Sequence, residues 1–517
     1  VKNGAKLYVI DPRVTSTARW AHRHLPLHVG GDIALANAVA HAILEEGLEN
    51  RAFIEHATEG FDAFREGVRG YAPERVRAWT GVDPALVREL ARDFARADRA
   101  MICWTLGITE HRNAVENVWS LINLSLLCGQ VGRYGAGLNP LRGQNNVQGG
   151  GDMGALPHKL PGFQDVEDPV ARGAYERAWG ATIPPVKGWT LTEMFRAMER
   201  DELRALWVIG ENPAQSEADA LHVRSLLAGL DHLVVQDLFL TRTAEMAHVV
   251  LPAAAGFCET DGTVTNSERR VQRVRRALPP PGDARDDLWI VAQMARRLGR
   301  DFGEPTARAL WDEMRAHSPL HRGMSWDRLE SMGGIQWPCP DESHPGSTFL
   351  HGRLWEEPLR GPRAPFHPVE HSDPAEPLSA EFPLRLTTGR RLSEYNTGVQ
   401  SARLASPLTR REALELSPTD FAALGLREGD RVRVVSRRGA VTAPVRADPG
   451  LPPGLVFLTL HQPDAVDTNA LTIEATDPRA GTAEFKAAAV RVERVDDPAR
   501  AGTRSISGLL ELQPTER

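Results

Sequence analysis

Leu206-Trp-Val-Ile-Gly-Glu-Asn-Pro-Ala-Gln215 decides the fold of this chain. The apolar residues 206–209 read as a strand, Gly-Glu-Asn-Pro as a polar turn, and the residues from about 217 as a helix. The same plan recurs on either side. Residues 233–235 are a second short strand, ending at Gln236-Asp237, and 249–252 a third apolar run. Upstream, 5–10 read as a strand ending at Asp11-Pro-Arg13, 33–46 and 84–97 as helices, 101–106 as a strand and 116–127 as an apolar helix. Strand–helix alternation predicts an α/β fold with parallel sheets. Ligands of such sheets bind beyond the carboxyl ends of the strands. We expect one α/β domain over 1–142 and a second over 143–351. Residues 352–380 are rich in Pro, Glu, Arg and His without periodicity and are expected to form a linker. Beyond it, short strands at 383–387, 431–436, 440–445 and 454–460 predict a C-terminal β-barrel domain over 381–517. Ser417 and Pro418 open a capped helix inside it.

Composition narrows the function. A chain of 517 residues is too long for one core, and its net charge of −7 argues against a nucleic-acid partner held by a basic face. No window approaches the roughly 18 uninterrupted apolar residues of a membrane span. Cys103, Cys128, Cys258 and Cys339 are far apart, with no C-x-x-C spacing, so no metal site of this chain's own is expected and a reducing compartment, the cytoplasm, is favoured.

The chemistry concentrates in polar turns. Leu141-Arg-Gly-Gln-Asn-Asn-Val-Gln-Gly-Gly-Gly-Asp-Met-Gly154 sets Arg142 beside the amides of Gln144, Asn145, Asn146 and Gln148 and among glycines, a composition foreign to core helices and strands. Glycines let backbone approach a ligand, amides supply paired donors and acceptors, and a guanidinium grips a carboxylate with two parallel bonds. Asp11 ends a strand; Asp32 either caps a helix or accepts from guanine or ribose. Gly210, Glu211 and Asn212 sit at a helix start, where phosphate is favoured, and Gln236-Asp237 repeats the arrangement. Glu259-Thr-Asp-Gly-Thr-Val-Thr-Asn-Ser-Glu-Arg-Arg270 adds Thr263, Asn266 and two arginines. In the tail stand Thr387-Thr-Gly-Arg-Arg391, Asn469 in Thr468-Asn-Ala-Leu-Thr472, and Glu484-Phe-Lys486. So many polar turns at predicted strand ends imply a large, phosphorylated, nucleotide-bearing ligand.

In this order, these motifs resemble the bis-molybdopterin guanine dinucleotide oxidoreductases over essentially the whole chain. Arg142-Gly-Gln-Asn-Asn-Val-Gln-Gly149 with Asp152-Met-Gly-Ala-Leu-Pro157 is similar, within that family, to the loop of formate dehydrogenase alpha subunits. The resemblance implies two Rossmann-like domains and a double-psi type barrel. It implies two pyranopterin guanine dinucleotides chelating molybdenum or tungsten. Asp11 and Asp32 would then hold one guanine, and Gly210, Glu211, Asn212, Gln236 and Asp237 would line the other nucleotide. Thr263, Asn266, Arg390 and Asn469 would contact pterin or phosphate, and Arg142 would orient formate.

The family's metal-ligating Cys or selenocysteine, its following His and its [4Fe-4S] cysteine cluster match nothing here, and are expected upstream of Val1. Leu392-Ser-Glu-Tyr395 stands where family members commonly carry a histidine. The resemblance therefore implies the larger C-terminal part of a formate dehydrogenase catalytic subunit. Electrons would pass to an iron–sulfur subunit or domain, and the isolated chain is expected to turn over little formate. The alternatives are another member of the family, such as a nitrate reductase, and a non-catalytic, truncated cofactor-binding protein.

Overall fold

The computed structural model describes residues 3–399 and 410–495. It divides into two compact units, Val1–Ala375 with Ile473–Ala487, and Glu376–Thr472 with Ala488–Arg517. The parts of the expected C-terminal domain at 400–409 and 496–517 lie outside the described residues.

The first unit is built from small parallel sheets and the helices that cover them. Tyr8–Ile10 pairs parallel with Arg23–Leu25, and Met101–Trp104 with Gly137–Pro140. The main core forms around the helix Asp32–Glu45, whose alanine-rich sequence is buried on nearly every face. Small side chains let three other helices, Pro73–Thr80, Pro84–Arg96 and Ala114–Leu127, pack close against it. Its end is set by Gly47, which takes the left-handed conformation (φ 62°) just beyond the last turn.

Ala205–Ile209, His232–Asp237 and Val249–Pro252 form a three-stranded parallel sheet in which spatial order follows chain order. Helices Ala220–Ala228 and Arg242–Glu245 make the two crossovers. Leu233 and Val235 of the middle strand are fully buried and pack with Val223 and Leu227 of the first crossover helix. Further along the chain, Gly262–Thr265 pairs antiparallel with Arg270–Val274, which in turn pairs with Ile335–Gln336.

Compactness does not separate 1–142 from 143–351, since both fall in the first unit. The expected linker 352–380 packs against the first unit: Ala364–Pro365 pairs with Thr58–Glu59, Phe366 stacks on Phe64 at 4.8 Å, and Trp355 packs on Phe53. Leu354, Phe366 and Val369 are buried at spacings that follow no helical or strand period, so periodicity cannot reveal them.

The second unit is a closed six-stranded barrel. Around the barrel the strands are Leu384–Gly389, Leu455–Thr459, Leu414–Leu416, Ala440–Ala447, Arg431–Val435 and Ala488–Arg494. The pairs 384–389 with 455–459 and 414–416 with 440–447 are parallel and the others antiparallel. Leu386, Val432, Val434, Val456 and Val490 fill its interior. The helix Pro418–Ala423 begins as expected, with Ser417 Oγ accepting from the Asp420 amide at 3.0 Å. Among the described residues no helix is long and apolar enough to cross a membrane. The protein is thus a mixed α/β fold with a closed six-stranded barrel in its C-terminal region.

Candidate functional site

The Arg142 loop contains a short helix, Val147–Asp152, that its composition argued against. Three glycines sit in it, and Gly149 is there for space. A Cβ at Gly149 would collide with the Asn146 side chain and meet the Thr265 amide nitrogen at 3.2 Å. Asn146, at φ 67°, turns the chain into this helix, and its Oδ1 accepts from the Thr265 amide at 2.9 Å. The loop is thereby tied to the hairpin 262–274. Arg142 is exposed; its backbone N–H donates to Ser267 Oγ at 3.3 Å and its Nη2 to Gln148 Oε1 at 3.3 Å. No carboxylate pairs with it among the described residues, so the charge is held in place but not neutralised.

Asp11 follows the first strand. Its Oδ1 accepts from the Arg13 amide at 2.8 Å, and its own amide donates to the Leu25 carbonyl. Burial pushes its carboxyl up, while Arg13, His24 and Lys486 oppose the rise. Asp32 is the first residue of its helix, with Gly31 in the cap position. Burial pushes it up too, against the nearby His111 and His371.

Gly210, Gln236 and Asp237 stand at the carboxyl ends of adjacent parallel strands and line a cleft of about 150 Å³ with Ala253, Gly256 and Asp287. Gly210, at φ 64°, has open space where a Cβ would stand. Gln236 is fully buried; its Nε2 donates to Asp287 Oδ1 at 2.5 Å, and its Oε1 has no partner among the described residues. Burial pushes Glu211 and Asp237 up, and Asp237 raises Glu211 further. Asn212 is used internally: its Oδ1 accepts from Thr243 Oγ1 at 2.7 Å and its amide donates to Gln215. Asn266 Oδ1 closes a hairpin turn by accepting from the amides of Glu268 and Arg270, both at 3.0 Å, and Thr263 pairs with Arg273 on that hairpin.

Lys486 links these groups in the first unit. It pairs with Glu110 at 2.8 Å and lies within electrostatic range of Asp11. Glu217, which no motif in the sequence marks, feels both Glu110 and Glu211. Burial, with those two charges behind it, pushes Glu217 up to about 7 against a hydrogen bond from Ser216. Glu484 is buried and goes the other way. Against the effect of burial, His111 and the amides of Arg112 (3.1 Å) and Ala375 (2.9 Å) hold its carboxyl below the usual range.

In the second unit, Arg390 is exposed just past the strand Leu384–Gly389, and Asn469 is buried in the 3-10 turn Thr468–Ala470. A histidine does stand beside the 392–395 segment. His461 Nε2 accepts from the Arg391 amide at 2.7 Å, and its Nδ1 donates to the Asn396 carbonyl at 2.6 Å. It lies 70 positions downstream of Arg391, where no local motif could point to it. Among the described residues the four cysteines join no cluster of metal-ligating side chains.

The profile of the family described as molybdopterin oxidoreductase matches residues 1–297, and that of the molydopterin dinucleotide binding domain matches 384–489. The chain is 40% identical over 95% of its length to the F420-dependent formate dehydrogenase subunit alpha of Methanocaldococcus jannaschii, covering 72% of that protein. It is 36% identical over 96% of its length to formate dehydrogenase H of Escherichia coli, covering 70% of it. It is 32% identical over 95% to the assimilatory nitrate reductase catalytic subunit of Bacillus subtilis, again covering 70%. Among solved structures, acetylene hydratase from Pelobacter acetylenicus superposes with a TM-score of 0.70 at 21% identity, over 96% of this chain and 74% of that one, and so shares its fold.

Proposed function

This chain belongs to the molybdopterin oxidoreductase family, and from that premise we propose that it oxidises formate to carbon dioxide, releasing one proton and two electrons. The observation that carries the substrate is Arg142, whose guanidinium bonds Gln148 and whose backbone N–H bonds Ser267, with no carboxylate partner among the described residues. A planar carboxylate is the partner such a fork prefers, and its positive charge persists at any working pH. The electron acceptor is an iron–sulfur subunit or domain, whose clusters the four scattered cysteines of this chain do not hold.

The residues present fit a guanine dinucleotide cofactor. Gln236 offers a buried acceptor with no partner among the described residues, Gly210 leaves room for close approach, and both border a cleft at parallel strand ends. We assign Gly210, Glu211, Asn212, Gln236 and Asp237 to one nucleotide, and Asp11 and Asp32 to the guanine of a second, where carboxylates accept from its N1 and N2 donors. Asn212 contributes by shaping the turn, its amide being engaged by Thr243 and Gln215. Thr263, Asn266, Arg390 and Asn469 are assigned to pterin or phosphate. When bound, a molybdenum or tungsten centre on two such pterins supplies the two-electron redox chemistry. The parallel-sheet regions are read as Rossmann-like, the barrel as double-psi, and the location as cytoplasmic.

Nitrate reduction is the second reading, favoured by the 32% identical relative. Arg142→Ala in the full-length enzyme separates the two. A formate enzyme loses about 2–4 kcal/mol of transition-state binding, the scale of one oriented charged donor, read as kcat/KM for formate. An unchanged kcat/KM removes the formate assignment.

A further inference from the structure

Behind Arg142 lies a buried chain of polar contacts. Gln148 Nε2 donates to Asp152 Oδ1 at 3.0 Å, one helical turn along Val147–Asp152. Asp152 is 1% exposed, and its other oxygen accepts from Trp337 Nε1 at 3.1 Å. His321, wholly buried, places Nε2 3.7 Å from the same oxygen, beyond hydrogen-bond reach, while its Nδ1 bonds Ser318 Oγ at 2.8 Å. Trp337 is itself fixed, with Arg269 stacked 5.4 Å from its ring centre. A buried carboxylate is costly unless hydrogen-bonded, and here one bond comes from the loop through Gln148 and the other from Trp337.

The polarity of this chain matters more than its strength. An ionised carboxylate only accepts, so Gln148 must turn its NH₂ toward Asp152. Its carbonyl oxygen is then forced toward Arg142, where it accepts from Nη2. Turned the other way, the amide would face NH₂ to guanidinium and donor would meet donor. The orientation of the guanidinium is therefore set two contacts away, by Asp152, a group that does not touch Arg142 itself.

We propose that Asp152 is a positioning residue: through Gln148 it fixes the Arg142 fork in the orientation that receives the substrate carboxylate. This rests on the formate reading. Asn at position 152 cannot serve both neighbours, because its NH₂ must face either Gln148 or Trp337, both donors.

The test uses the full-length holoenzyme with Gln148→Leu, Asp152→Asn and the double variant. Each single change should raise the KM for formate about tenfold, the scale of one hydrogen bond to a charged group, with a smaller fall in kcat. The double variant should be no worse than Gln148→Leu alone, because Asp152 acts only through Gln148. In protein stripped of cofactor, modification of Arg142 by phenylglyoxal, followed by peptide mass, should quicken in both single variants. A normal KM and modification rate in Asp152→Asn, even with a lowered Tm, would overturn the proposal, as would effects that multiply in the double variant. If Asp152→Asn does not fold, Gln148→Leu breaks the same link at a half-buried position and decides by itself. If Arg142→Ala leaves kcat/KM unchanged while the modification rates still respond, the formate reading fails and the positioning stands.

Discussion

Glu217 has a carboxyl raised to about 7, by burial first and then by Glu211 and Glu110. Between the unfolded value near 4.5 and the folded value near 7, the unfolded chain has released this proton and the native chain still holds it. Stability from this group is therefore complete below about pH 4.5 and is lost as pH rises through 7. Glu217→Gln keeps the shape and the neutral form, so the variant should gain stability at pH 8, on the order of 1 kcal/mol given partial exposure to water, and nothing at pH 4.5. Thermal unfolding at the two pH values checks this; an equal gain at both would show that the effect is steric and not protonic. The carboxyl of Glu484 is lowered instead, since two backbone amides and His111 outweigh burial. The strand-end residues Asp11, Glu211 and Asp237 were legible in the sequence because alternation marked where strands stop. Asp287, His321, Trp337 and His461 were not, since each reaches its partner only through the tertiary fold.

The helix Val147–Asp152 shows why pattern fails at a site. Its Gly-Gly-Gly core has no apolar period, and glycine costs a helix about 1 kcal/mol per residue relative to alanine. Gly150 has open space where a Cβ would stand, whereas Gly149 faces the Asn146 side chain that tethers the loop to Thr265. Gly150→Ala should therefore stabilise the protein by up to about 1 kcal/mol, and Gly149→Ala should destabilise it and raise the KM for formate. Paired unfolding curves and kinetics check this; two stabilising alanines would mean that the tether is dispensable. Elements with strong periods fared better: the helix expected over 33–46 is Asp32–Glu45, and the strand expected over 206–209 is Ala205–Ile209. Arg23–Leu25 and Leu414–Leu416 leave no mark in the sequence, because three residues carry no period. Ala488–Arg494 was hidden by the alanine run 487–489, fully buried where the barrel closes.

At the scale of the molecule, the assigned cofactor residues are divided between two units with separate cores. Asp11, Asp32, the 210–212 turn, Gln236, Asp237, Thr263 and Asn266 fall in the first, Arg390 and Asn469 in the second. Unfolding of such a chain need not be one transition, and a ligand raises only the transition of the unit it binds. All 12 tryptophans lie between Trp20 and Trp355, within the first unit, so their emission follows that unit alone while circular dichroism follows both. Added GDP at a hundredfold excess over its Kd should stabilise the tryptophan-monitored transition of cofactor-stripped protein by about 2.7 kcal/mol. ADP should do much less, because adenine lacks the N1–H and N2–H donors that carboxylates at Asp11 and Asp32 would accept. Asp32→Asn should remove most of the preference, since its amide offers donors where the carboxylate offered only acceptors. Equal shifts with GDP and ADP would mean that phosphates alone bind and that the guanine assignment of Asp11 and Asp32 is wrong. A GDP shift seen by dichroism and absent from tryptophan emission would move the guanine site out of the first unit altogether.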